Sequence, residues 1–283
     1  MNYAHAFHAG NFADVHKHLV LLELLNHLQK KPTPFFLLET HAGRGLYDLH
    51  SDEAKRGDEW RAGISRILAL DAAQLSTALE RYVAAVRTTP PNTASTLQFY
   101  PGSPLLAVQQ LRATDRAVFV EKHTVEAAAL QQALNGIKRV TVTQTDGYSA
   151  MNAHLPPKEN RGLVMIDPPY ESDTEFADVA RALQGALQRW RNGVFCVWHP
   201  LKSGDAHLRL HRMLVDLGIR KILKLELYVR PKDSPWGLNG SGLLVVNPPW
   251  QFDEQMRELQ PVLHRAMASD GAGDSRVEWL VGE

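Results

Sequence analysis

The most restrictive feature of the sequence is one short stretch, Leu163-Val164-Met165-Ile166-Asp167-Pro168-Pro169-Tyr170. Its four consecutive apolar residues leave no polar face, which predicts a strand buried on both sides, as in a parallel sheet. The two prolines cannot continue the ladder of hydrogen bonds, so the strand ends at the aspartate. Because open α/β sheets bind ligands at the carboxyl ends of their strands, we expect Asp167 to lie at a ligand site. Taken alone, the stretch is also compatible with a proline-rich turn after a strand.

The composition limits the class of protein. The chain has 283 residues, 44% of them hydrophobic, which is enough for one large α/β domain or one domain with an insertion. No run is long enough to span a bilayer, and the first ten residues do not resemble a signal peptide. The single cysteine, Cys196, excludes an internal disulfide and a cysteine zinc cluster. We therefore expect a cytoplasmic protein. Its 31 basic and 31 acidic residues balance, so a nucleic-acid partner would require clustered charge.

Apolar runs alternate with helical patterns along most of the chain. This alternation predicts a doubly wound, mostly parallel sheet of seven strands. The predicted strands include residues 35–40, 117–121, 140–142, 163–166, 194–198, 222–229 and 241–246. Residues 277–281 could add an edge strand.

Residues 48–95 show no strand pattern. They predict one amphipathic helix through residues 60–68 and another through residues 75–86, for which Asp71 is a candidate cap. We therefore predict a small helical subdomain at 48–95, inserted into an α/β domain formed by 1–47 and 96–283. Additions of this kind, next to a ligand edge, often hold substrate.

Polar residues follow the carboxyl ends of several predicted strands, in the order Glu39 with His41, Glu121, Asp146 and Asp167. The glycines of His41-Ala42-Gly43-Arg44-Gly45 let the backbone turn sharply and approach a ligand, but the full G-x-G-x-x-G fingerprint of dinucleotide sites is absent. An acid after the second strand can accept hydrogen bonds from ribose hydroxyls. Asp146-Gly147 is either a plain turn or a contact to an adenine ring.

Three further motifs are ambiguous. The first helix, which we expect Asn11 to cap and Val15, Leu19, Leu22, Leu25 and Leu28 to bury along one stripe, also carries His16 and His18. Two histidines two apart on a helix point about 200° away from each other, so a pocket-lining role is favoured over a metal site. Ser103 precedes Pro104 and is a candidate N-cap. A second motif near the C-terminus, Asn247-Pro248-Pro249-Trp250, is chemically similar to the first. Asp167 is favoured over Asn247 as the residue that binds an amine, because its strand should be central in the sheet.

The order and spacing of these acids resemble the layout of S-adenosylmethionine-dependent methyltransferases of the Rossmann-like class I. Asp-Pro-Pro-Tyr resembles the signature of amino methyltransferases, which act on adenine N6, cytosine N4 or the glutamine amide. The chemistry fits these residues, because Asp167 and the Pro168 carbonyl can accept both hydrogens of an exocyclic amine. The ring of Tyr170 can stack on a flipped base, a contact worth about 1–3 kcal/mol.

A closer resemblance is carried by His-Ala-Gly-Asn-Phe-Ala-Asp-Val-His-Lys-His (8–18), Glu-Thr-His-Ala-Gly-Arg-Gly (39–45), Tyr-Pro-Gly-Ser-Pro (100–104), Ile-Asp-Pro-Pro-Tyr (166–170) and Asn-Pro-Pro-Trp (247–250). Together they resemble the J-type 23S ribosomal RNA adenine-N6 methyltransferases over nearly the whole chain. The resemblance implies a cofactor pocket lined by His18, His41, Ser103, Glu121, Asp146, Gly147 and Asp167. It implies Asp167 as the catalytic acceptor, and substrate contacts by Tyr3 in a mobile tail and by Lys17 beside it. Phe12 departs from the family pattern without affecting a role.

The leading hypothesis is therefore adenine-N6 methylation of 23S rRNA by a monomer, with no metal and no membrane partner. DNA adenine methylation is the alternative, although no separate DNA-reading domain is visible. Glutamine methylation is disfavoured because its signature usually begins with Asn, and a non-enzymatic binding module would not require the acid at position 167.

Overall fold

The computed structural model describes residues 4–93, 96–235, 237–268 and 270–282. Ten strands are present in this part of the chain: β1 (Phe36–Glu39), β2 (Leu46–Asp48), β3 (Phe99–Pro101), β4 (Arg116–Glu121), β5 (Val140–Gln144), β6 (Gly162–Ile166), β7 (Val194–Leu201), β8 (Ile222–Tyr228), β9 (Gly240–Val246) and β10 (Ser275–Val281).

The helices in the described residues are α1 (Phe12–Gln29), α2 (Asp52–Gly57), α3 (Ile64–Leu68), α4 (Thr77–Arg87), α5 (Ser103–Val108), α6 (Thr124–Ala133), α7 (Gly147–His154), α8 (Glu175–Arg189), α9 (His207–Asp216) and α10 (Phe252–Met267). Short 3-10 turns occur at His5–Phe7, Glu59–Arg61 and Ala72–Gln74. Within the same residues, no helix combines the length and the apolar character needed to cross a bilayer.

The main sheet has eight strands in the order β10-β8-β9-β7-β6-β1-β4-β5, whereas seven were predicted. The α/β class and the parallel centre are confirmed, because β5, β4, β1, β6 and β7 all pair in parallel. The additional strand is β10, which pairs antiparallel with β8 at the edge. Its residues are half-buried or exposed, so its sequence carries only a weak apolar signal.

The strand order reverses beside β1. After β1, the chain adds β4 and β5 on one side, and then returns to place β6 and β7 on the other. A crevice forms at such a reversal, outside the carboxyl ends of the two strands. Glu39 ends β1, and Asp167 follows β6 directly. The fold therefore brings the first glycine turn and Asp-Pro-Pro-Tyr to the same edge.

Helix α1 is buried almost all round rather than along one stripe. Its predicted apolar positions are buried, but Val20, Leu21 and Leu24 are buried too. The helix packs against α4, α5, α10 and β9, so nearly every face meets protein. Asn11 caps it as predicted, because its side-chain oxygen accepts from the N–H groups of Ala13 and Asp14, at 2.9 Å each.

The segment between β2 and β3 is helical, and these two strands pair antiparallel at its base. The single helix predicted over 60–68 is wrong: a 3-10 turn and α3 are separated at Gly63. A Cβ on Gly63 would lie 2.2 Å from the Gly10 carbonyl oxygen. Close packing of Gly63 on the N-terminal segment therefore determines where the helix is interrupted. Ser76 caps α4, whereas Asp71 caps a 3-10 turn. The division into domains stays a prediction.

Candidate active site

A cavity of about 1010 Å³ opens at the carboxyl ends of the parallel strands. Six of the seven residues predicted to bind cofactor line it: His18, His41, Ser103, Glu121, Asp146 and Asp167. The predicted substrate residues Lys17, Pro168 and Tyr170 line it as well, whereas Tyr3 lies outside the described residues. Carboxylates outnumber ammonium groups in the lining, which suits a cationic ligand.

The loop after β6 presents two acceptors and an aromatic ring. Oδ2 of Asp167 accepts a hydrogen bond from Lys17 Nζ at 2.5 Å. Among the described residues, none donates to the carbonyl of Pro168. Tyr170 has φ +50°, and its hydroxyl donates to the Trp198 carbonyl at 2.6 Å. The ring of Tyr170 is thereby fixed at the cavity wall, with a backbone conformation that non-glycine residues seldom adopt.

The glycine turn after β1 is tied to Glu121 at the end of β4. Gly43 and Gly45 have φ of +63° and +81°, as the predicted sharp turn requires. The N–H of Gly43 donates to Oε2 of Glu121, and the N–H of His123 donates to Oε1, both at 2.8 Å. Each carboxylate oxygen retains a lone pair, so Glu121 can still accept from two hydroxyls of a ribose.

Asp146 lines the cavity, whereas Gly147 is not among the lining residues. Asp146 caps α7 by accepting from the N–H of Ser149 at 3.0 Å. Burial raises the pKa of Asp146, but the Ser149 bonds and the Lys122 ammonium lower that pKa further, to below its ordinary value. A Cβ on Gly147 would lie 2.3 Å from the Thr40 carbonyl oxygen. Gly147 therefore lets the start of α7 press against the end of β1.

Ser103 is the first residue of α5 and not its N-cap, which is Gly102. Its hydroxyl instead donates to Oε1 of Glu39, and this bond explains the burial of both side chains. Burial raises the pKa of Glu39 to about 8, so its carboxyl carries a proton near neutral pH. Oε2 of Glu39 has no partner among the described residues. Glu39 itself does not line the cavity, so it supports the lining residue Ser103 from inside the protein.

The histidines of α1 and of the glycine turn bind separate partners. His16 contacts Ser241 and Gln260, whereas Nδ1 of His18 lies 2.7 Å from the Tyr100 hydroxyl. Burial lowers the pKa of His18 to about 3 and that of His41 to about 4, so both are neutral at pH 7. In the part of the chain that the structure describes, no group of histidine, cysteine and acidic side chains is arranged to hold a metal ion.

The sequence motifs do not single out Asp14, a buried carboxylate beside Lys17 and His18. Its Oδ1 forms an ion pair with Lys17 Nζ at 3.0 Å and lies 3.9 Å from His18 Nε2. The spacing i, i+3 and i+4 places these three side chains on one helix face, and this signal would have found it.

Asn247 does not compete with Asp167 for the site. Because β9 runs antiparallel to β7, its carboxyl end lies at the opposite edge of the sheet. The Asn247 amide donates to the carbonyls of Arg191 and Gly193, at 2.9 Å each. Asn247-Pro248-Pro249-Trp250 therefore resembles the first motif only in sequence, and Asn247 fixes its loop to the neighbouring backbone.

Three comparisons place the chain among known proteins. A family model described as "Ribosomal RNA large subunit methyltransferase D, RlmJ" matches residues 32–281. Two curated relatives are both called ribosomal RNA large subunit methyltransferase J, and each alignment covers 100% of both chains. The Haemophilus influenzae protein is 40% identical and the Escherichia coli protein 38%, each over 283 residues. A solved structure of a Legionella pneumophila protein has a TM-score of 0.88 at 36% identity, covering 96% of this chain and 98% of that chain.

Proposed function

The chain belongs to the RlmJ family of large-subunit ribosomal RNA methyltransferases, and from that premise we propose that it methylates N6 of one adenine in 23S rRNA. Family membership accords with the predicted Rossmann-like methyltransferase fold and indicates S-adenosylmethionine as the cofactor. The finer statements, adenine and its N6 atom, rest on the chemistry of the loop after β6. We also propose that the protein acts as a monomer in the cytoplasm.

The residues around the glycine turn would hold the cofactor. Glu121 would accept from the ribose hydroxyls, and Asp146 would bind at the adenine end. His18, His41, Ser103 and Asp167 would complete the pocket, with Gly147 supporting its wall. The sulfonium of S-adenosylmethionine supplies an electrophilic methyl group when bound.

The observation that carries the proposal is the pair of acceptors beside the Tyr170 ring. An exocyclic aryl amine is a poor nucleophile, because its lone pair is delocalised into the ring. Asp167 and the Pro168 carbonyl would accept both amine hydrogens and localise that lone pair on nitrogen. Tyr170 would stack on the base, and Asp167 would take the proton released after transfer. Holding nitrogen in line with the methyl group supplies much of the acceleration.

The direct test is transfer to 23S rRNA purified from cells that lack the gene. The protein is incubated with this RNA and methyl-labelled S-adenosylmethionine, and the nucleosides are then separated by mass spectrometry. Label in N6-methyladenosine at a single position supports the proposal. Label in another nucleoside, or transfer to genomic DNA or protein but not to this RNA, would overturn it.

A further inference from the structure

Asp14 is a buried carboxylate that shares the Lys17 ammonium with the proposed catalytic residue, and 2% of its side chain is exposed. Its Oδ2 accepts from His5 Nε2 and from the N–H of Gly10, at 2.9 Å each. Its Oδ1 forms an ion pair with Lys17 Nζ at 3.0 Å and lies 3.9 Å from His18 Nε2. One carboxylate therefore contacts both the segment that precedes α1 and two residues of α1 that line the cavity.

The ammonium of Lys17 bridges two carboxylates. Its Nζ lies 2.5 Å from Oδ2 of Asp167 and 3.0 Å from Oδ1 of Asp14, and 7% of its side chain is exposed. An adenine amine that binds Asp167 at Oδ2 would displace this ammonium from that oxygen. A buried ammonium without a counterion is strongly unfavourable. Because Asp14 already binds it, Lys17 can release Asp167 and keep a partner.

The surroundings of Asp14 keep its carboxylate ionised when Lys17 leaves Asp167. Burial raises its pKa, but His5 and the Lys17 ammonium lower that pKa further, to well below its ordinary value. Asp14 also lies in the first turn of α1, where the helix dipole favours a negative charge. Asp14 is therefore ionised at neutral pH and can serve as the counterion of Lys17.

We propose that Asp14 is a positioning residue of methyl transfer: it retains the Lys17 ammonium when the amine of adenine takes the place of Lys17 at Asp167. The inference rests on the proposed function. Asp14 acts through Lys17, so its loss should matter only where Lys17 is present.

A double-mutant cycle tests this dependence. The wild type, Asp14→Asn, Lys17→Met and the double variant are compared for the rate constant of a single turnover on the nucleic acid that the wild type methylates. Asn keeps an acceptor for the Gly10 N–H but removes the charge. We expect Asp14→Asn to lower the rate about 10- to 100-fold in wild-type background and much less in Lys17→Met. Cofactor affinity, measured by calorimetry, should change far less than the rate.

Two results would overturn the inference. One is a double variant whose loss equals the product of the single losses, since a merely structural residue acts independently of Lys17. The other is wild-type turnover in Asp14→Asn. If that variant unfolds, Asp14→Glu, which keeps the charge, takes its place in the cycle. A loss of rate that is equally large in the Lys17→Met background would again contradict the inference. The proposed function is tested separately, by identifying the nucleoside that the wild type methylates. That result does not depend on the coupling between Asp14 and Lys17.

Discussion

The ammonium nitrogen of Lys17 lies 2.5 Å from Oδ2 of Asp167, although 150 positions separate the two residues in the sequence. The contact joins α1 to the loop after β6 across the mouth of the crevice. It neutralises the carboxylate proposed to receive the amine, and it couples the N-terminal segment to the centre of the sheet.

Replacing Lys17 with Met should lower methyl transfer about 10- to 100-fold, because Asp167 loses the group that orients it until the amine binds. Single-turnover kinetics measures this loss. Cofactor affinity should change much less, since the change removes a contact on the substrate side of the cavity. Lys30→Met is the matched control: Lys30 follows the same helix, is exposed and lies outside the cavity lining. Equal losses in both variants would argue against the Lys17 contact.

Adding a methyl group at Gly147 should destabilise the fold and weaken cofactor binding. The new Cβ would meet the Thr40 carbonyl at 2.3 Å and push α7 away from β1, and overpacking of this kind typically costs about 1–3 kcal/mol. Denaturant unfolding of Gly147→Ala, with and without cofactor, measures both effects. Gly185→Ala in α8 is the control: its Cβ meets nothing within 4 Å, so the free energy of unfolding should rise by about 0.5–1 kcal/mol. Equal effects would contradict the packing argument.

The ring of Tyr170 should matter more than its hydroxyl. Tyr170→Phe removes the hydrogen bond to the Trp198 carbonyl, a net contribution of about 0.5–1.5 kcal/mol, but keeps the stacking surface. Tyr170→Ala also removes stacking on the base, worth about 1–3 kcal/mol more. We expect kcat/KM for RNA to fall much further in Tyr170→Ala. If Phe is as damaging as Ala, anchoring of the loop and not stacking is the function of Tyr170.

The pair formed by His8 and Glu59 should contribute to stability only in a window of pH. Nδ1 of His8 lies 2.9 Å from Oε1 of Glu59, with 39% and 40% of the side chains exposed. The hydrogen bond that His8 donates to Glu59 raises the pKa of His8 above 6.5. Burial raises the pKa of Glu59, but bonds from His8 and Asn11 lower it further, to below 4.5.

The raised pKa of His8 means that its contribution is full below pH 6.5 and is lost as pH rises through the folded value. The lowered pKa of Glu59 means that its contribution is present above pH 4.5 and is lost as pH falls. A double-mutant cycle of His8→Ala and Glu59→Ala in urea should therefore show coupling near pH 5.5 and little near pH 9. Solvent screening limits the coupling to about 1 kcal/mol or less. Equal coupling at both pH values would contradict the assignment.

The parts of the fold that local chemistry determines were predictable. Continuous apolar runs mark the buried parallel strands, and two prolines mark the end of β6 at Asp167. Asn11 caps α1 through bonds to residues two and three positions away. The main sheet and the position of the crevice follow from such local signals, because the order of strands in doubly wound sheets obeys few rules.

The parts that depend on distant contacts were not predictable. Ser103 looks like an N-cap in sequence, but it bonds Glu39, 64 positions away. Gly63 interrupts an apparent helix because the backbone of Gly10 packs against it. The role of Asp14 depends on Asp167, which only the fold brings near. No local pattern encodes these pairings.

The most direct test of the account is methyl transfer by Asp167→Ala to a 23S rRNA fragment, compared with Asp173→Ala. Asp173 is an exposed acid six residues later, outside the cavity lining, so it controls for the loss of a carboxylate from the same loop. We predict that Asp167→Ala binds S-adenosylmethionine but forms no N6-methyladenosine, whereas Asp173→Ala transfers at the wild-type rate. Unchanged turnover in Asp167→Ala would remove this carboxylate from the mechanism and contradict the account.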